Sequence, residues 1–73
     1  MRKQLTAIIE RESDGYESLC PVVDIASQGA LIEVARENLR QALALFFETA
    51  SPEEIQQRLY EEVYMTRVGI AVG

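Results

Sequence analysis

The spacing of apolar residues changes along the chain, and each change marks an element. From Lys3 to Arg11, Leu5, Ala7 and Ile9 alternate with Gln4, Thr6 and Glu10, the period-two pattern of a half-buried strand that Ile8 alone interrupts. Glu12-Ser13-Asp14-Gly15 carries Asp-Gly turn chemistry. With Gly15 free to take positive φ, it predicts a reversal into a second strand over Tyr16 to Cys20. Pro21 has no N–H to give a ladder, so the second strand is expected to end there or to turn that position outward. A short third strand follows over Ile25 to Gln28 and ends at Gly29.

Beyond Gly29 the period lengthens. Between Leu31 and Glu48, Ile32, Ala35, Leu39, Ala42, Leu43 and Phe46 recur at spacings of three and four, which predicts an amphipathic helix with those residues toward the core. Glu37, Gln41 and Glu48 fall on the water side, and Arg36, Arg40 and Phe47 project along one flank. Val34, Leu45 and Asn38 share the other flank, where they serve either as a contact surface or as peripheral packing, the commoner use of such groups. Ser51-Pro52-Glu53-Glu54 is a helix start, with a hydroxyl cap, proline at the first helical position and acids at the positive end of the dipole. It ends the long helix near Thr49-Ala50 and opens a short one anchored by Ile55 and Leu59. From Glu62 to Val72, Tyr64, Thr66, Val68, Ile70 and Val72 alternate with Val63, Met65, Arg67, Gly69 and Ala71, predicting a last strand that is buried or covered by a partner. The order β-β-β-α-(short α)-β makes a single α+β domain over residues 1–73. One main helix covers one face of a small, mostly antiparallel sheet, and a right-handed crossover sets the last strand beside the first, in the order 3-2-1-4.

Length adds a constraint. A 73-residue chain buries only roughly 60% of the surface it exposes when unfolded, and such chains lean on disulfides, a metal or a partner. The single cysteine, Cys20, forms no internal disulfide. The absence of histidine removes His-containing zinc sites and imidazole chemistry. Self-association, as a dimer or higher homo-oligomer, is therefore expected. Twelve acidic against seven basic residues, a net charge of −5, oppose direct contact with nucleic acid and with anionic membranes. The same charge suits a basic protein partner. Met1-Arg2-Lys3 leads into no signal-peptide core, and the longest apolar run, Ala42 to Phe47, is about a third of a membrane span. A cytoplasmic location is expected.

Catalytic constellations are scarce, and no cofactor is expected. Cys20 lies on a predicted strand and reads as a small core residue. Glu10, Asp24 and Glu33 are the one carboxylate set that could hold Mg²⁺, should the fold bring them together. That alternative would make the chain a metal-dependent nuclease. No phosphate-cradling glycine loop occurs, and Tyr16, Tyr60 and Tyr64 lack the surrounding bases of a stacking platform.

A different set of residues carries a resemblance. Asp14-Gly15-Tyr16, Ser18-Leu19-Cys20-Pro21, Asp24-Ile25-Ala26-Ser27-Gln28-Gly29, Glu33, Ala35, Glu37-Asn38-Leu39 and Ala42-Leu43 occur in this order. With the closing Val63-Tyr64-Met65-Thr66-Arg67-Val68 they resemble the HicB family of antitoxins over nearly the whole chain. The resemblance implies a degenerate ribonuclease-H-like half fold that binds a HicA-like mRNA-cleaving toxin and blocks its RNA-binding or active surface, with no catalysis of its own. Within the motif, Gly15 is expected to serve the hairpin turn and Gly29 the bend into the helix. Pro21, Ser27 and Gln28 are expected to supply turn and loop hydrogen bonds. Two departures stand out. Ala30 and Leu31 replace the acid and hydroxyl residue that tend to open the helix, which removes its cap and exposes Leu31 to a partner. The DNA-binding appendage of many members has no counterpart before Gly73, so direct operator contact is not expected. Asp24, Glu33 and Glu37 are the acids expected to touch the partner. An oligomeric scaffold without a toxin is the remaining alternative.

Overall fold

A computed structural model of the chain describes residues 4–60 and 66–73. Its elements are strands β1 (Ile8–Glu12), β2 (Gly15–Cys20) and β3 (Ile25–Gly29), then helices α1 (Ile32–Thr49) and α2 (Pro52–Tyr60). The strands form an antiparallel meander in the order β1-β2-β3, and α1 packs on one face of it, so the α+β architecture stands. The two-residue turn Ser13-Asp14 sets the register of the first hairpin, with Glu12 opposite Gly15, Glu10 opposite Glu17 and Ile8 opposite Leu19. In the second hairpin Tyr16 lies opposite Gly29, Ser18 opposite Ser27 and Cys20 opposite Ile25.

Alternation assigns the faces. Ser18 and Cys20 are fully buried beneath α1, so Ile9, Arg11, Ser27 and Gly29 share the helix side. Ile8, Glu10, Glu12, Glu17, Leu19, Ala26 and Gln28 lie on the open side. The core centres on Cys20, Val23 and Leu39, joined by half-buried Leu5, Val22, Ile25, Leu43, Phe46, Phe47 and Leu59. Ala35 is buried where α1 meets the sheet. One buried hydroxyl crosses that contact: Ser18 Oγ donates to the carbonyl of Ala35 at 2.8 Å.

Several expectations change. β1 starts at Ile8 rather than Lys3, because β2 ends before Pro21 and residues 4–6 have no strand residue opposite them; Lys3 itself lies outside the described residues. Gly15 has no positive φ. The left-handed residue is Asp24 (φ 55°), which closes the turn Pro21–Asp24 and is of a type that tolerates this region. Ile32 is 51% exposed rather than core, because α1 first touches the sheet at Val34–Ala35 against Gly29 and its opening turn overhangs. Phe47 packs into the core instead of flanking it, edge-on to Phe46 with ring centroids 5.3 Å apart. The core is broader at that end because α2 folds over it. Arg58 of α2 donates to the carbonyl of Val23 at 2.6 Å while its guanidinium sits 5.4 Å from the centre of the Phe46 ring.

Of the strand expected over 62–72, residues 62–65 lie outside the described residues, and residues 66–73 have no regular structure. No helix among the described residues is long and apolar enough to cross a membrane.

Candidate functional site

Two features emerge once the motif residues are placed. The first is a junction. Gly15 and Gly29 are brought together by the β2–β3 register, and their need for glycine is a matter of close approach. A Cβ on Gly15 would stand 2.7 Å from the carbonyl oxygen of Gly29, and one on Gly29 would stand 2.5 Å from the amide nitrogen of Ala35. Both are far inside van der Waals contact. Asn38 Nδ2 donates to the carbonyl of Gln28 at 2.8 Å, tying α1 to the edge strand β3. Asn38 thus has a structural task on the flank where it was expected beside Val34 and Leu45, both of which are exposed. Between the hairpin turn Glu12–Tyr16 and the segment Gln28–Ala30 lies an open groove of about 510 Å³. Pro21 is half-buried in its turn, Ser27 is half-buried under α1, and Cys20 is fully buried with a free thiol. The motif residues therefore build the sheet–helix junction.

The second feature is the open face of the sheet. Alternation puts Glu10 and Glu12 of β1 on it, and the register sets Glu17 of β2 opposite Glu10 and diagonal to Glu12. Like charges in these positions repel. The Glu17 carboxyl is accordingly held above the ordinary carboxylate range, by the charge of Glu12 first, then a hydrogen bond shared with Glu12, desolvation and the charge of Glu10. The nearest base in sequence, Arg11, points to the other face, where its guanidinium lies 5.7 Å from the centre of the Tyr16 ring. Among the described residues the ion pairs are Arg40–Glu37 at 2.7 Å and Arg58–Glu54 at 4.0 Å, both within helices. The three glutamates thus stand beside Ile8 and Leu19 with no base among the described residues to offset them.

Sequence reading singled out Glu10 as a metal candidate but passed over Glu12 and Glu17. The signal was present in the two-residue turn, which fixes the register and aligns all three on one face.

The acids expected to meet a partner are dispersed. Asp24 occupies the left-handed turn position. Glu33 lies in the first turn of α1, and Glu37 lies one turn further on. Hydrogen bonds from Arg40 at 2.7 to 3.0 Å hold the Glu37 carboxyl below the usual carboxylate range. Glu10 lies on the open face of the sheet and Glu33 on the helix that covers the other face. Glu10, Asp24 and Glu33 therefore form no joint coordination shell, and no group of three metal-ligating side chains occurs among the described residues. Comparison with protein-family models, with curated proteins and with solved structures finds no match.

Proposed function

We propose that this chain is an antitoxin-like binding protein that neutralises a basic, mRNA-cleaving toxin of the HicA kind by direct contact, with the open face of its sheet as the contact surface. The observation that carries the reading is the trio Glu10, Glu12 and Glu17 on one face, next to Ile8 and Leu19 and opposed by no base among the described residues. A cluster that destabilises its own sheet gains most from a cationic partner, since the repulsion within it is relieved when the partner docks. Such a surface also accelerates encounter with a protein shaped to grip RNA. The resemblance to HicB antitoxins supplies the class of partner, and the glycine junction supports the motif as a structural unit that presents this face. Glu33 and Glu37 offer a lesser acidic surface on α1, where Arg40 already neutralises Glu37.

The test is co-expression with the small protein encoded beside this chain. The intact chain should rescue growth and co-purify with its neighbour. The triple variant E10K/E12K/E17K should lose both effects while keeping its circular dichroism spectrum. A neighbour that is not toxic, or a charge-reversed chain that still neutralises it, would overturn the reading.

A further inference from the structure

Residues 66–73 carry the sequence pattern of a strand but form none. Thr66, Val68, Ile70 and Val72 alternate with Arg67, Gly69 and Ala71, the period and β-branched composition of a sheet segment. Yet this stretch has no strand pairing, and Val68, Ile70 and Val72 are 79%, 79% and 85% exposed. Three large apolar side chains left in water are a standing cost.

The same molecule carries an edge that fits this segment. Among the described residues β1 has no neighbour on its outer side. Helix α1 lies over β3 and β2 and barely reaches β1, which leaves Ile9 only half-buried on the helix side. A strand seated along β1 with Val68, Ile70 and Val72 on that side must, by alternation, turn Arg67 to the opposite face. That face presents Glu10 and Glu12 on β1 itself. The small residues Gly69 and Ala71 fall on the same face, where they leave room beside Ile8. Both faces of the segment thus match both faces of the edge, one by burial and one by charge.

We propose that residues 66–72 are a strand donor for the β1 edge of a second copy of this chain, the two copies exchanging strands about a two-fold axis with Arg67 of each beside Glu10 and Glu12 of the other. The second copy is the occupant because the segment of the single chain stands free of the sheet while its own β1 edge is open. Reciprocal exchange also closes both β1 edges at once, leaving no β1 edge to extend the exchange to a third copy. The buried apolar set, Cys20, Val23, Ala35 and Leu39, is small enough for added cover to matter. The inference does not depend on the toxin reading, because its test uses the purified chain alone.

Sedimentation equilibrium should give twice the 8.2 kDa chain mass, and hydrogen exchange should protect the amides of 66–72 in the dimer. The variant V68D/I70D touches no core residue and should sediment as a monomer with its helical circular dichroism retained. R67E should weaken the dimer about fivefold, the reach of a cross-strand charge pair, and E10K/E12K combined with R67E should restore it. A chain monomeric up to millimolar concentration overturns the proposal, with 66–72 protected in cis or not. So does a dimer indifferent to V68D/I70D, and indifference to R67E overturns the assignment of Arg67 to the acidic face.

Discussion

Glu17 shows how a residue's neighbours across the sheet, rather than along the chain, set its behaviour. Its carboxyl is raised because Glu12 and Glu10 stand on the same face, so the folded state binds its proton more tightly than the unfolded chain does. Its contribution to stability is therefore present at low pH and is lost as pH rises from the ordinary carboxylate value of 4.5 through the raised one. Glu37 has the opposite sign, since Arg40 favours its charged form. The expected outcome is that E17Q melts at a higher temperature than the parent near neutral pH, and that the difference closes as pH falls below the carboxylate range. Thermal melts across that range check it, and an E17Q chain less stable than the parent at neutral pH would contradict it.

Helix α1 begins without a side-chain cap. Leu31 stands at the N-cap with the extended backbone (φ −128°, ψ 158°) that a capping residue adopts, but it makes no cap hydrogen bond. Its apolar side chain is 62% exposed. Helix α2 shows the alternative, with Ser51 Oγ accepting from the amide of Glu54 at 3.1 Å. L31D is expected to supply the missing acceptor and a favourable charge at the dipole end, stabilising the chain by about 1 kcal/mol in chemical denaturation. Leu31 lies on the helix side of the sheet, away from Glu10, Glu12 and Glu17, so L31D should leave complex formation in the co-expression experiment unchanged while strengthening the isolated fold.

The molecule as a whole is held by a narrow seam between sheet and helix, and Gly29 sets its width. Neither φ nor turn chemistry requires glycine there. The requirement comes from Ala35 N at 2.5 Å and Val34 C at 2.8 Å from where a Cβ would stand, all backbone atoms of α1 that cannot swing aside. G29A is expected to push α1 off β3, stretch the Ser18–Ala35 and Asn38–Gln28 hydrogen bonds, and cost about 2 kcal/mol. A urea titration measures it, and an unchanged midpoint would mean that the seam is loose. The same narrowness leaves β1 poorly covered and makes the outer edge of the sheet the place where added cover has most effect.

Local chemistry alone determined much of this protein. The hairpin at Ser13-Asp14, the end of β2 before Pro21, the helix after Gly29, the cap at Ser51 and the start of α2 at Pro52 all follow from turn residues, proline and short-range periodicity, which act within a few residues. Alternation also identified 66–72 as strand-like, a property of the segment whether or not an edge is at hand. Tertiary structure decided the rest, because it sets distances between residues far apart in sequence. It separated Glu10 from Glu33 by placing them on opposite sides of the sheet, and aligned Glu10 and Glu12 with Glu17. It turned Ile32 to water and Phe47 to the core, and it made Gly29 a matter of clearance rather than of backbone conformation. A period says which residues share a face; only packing says what, if anything, covers it.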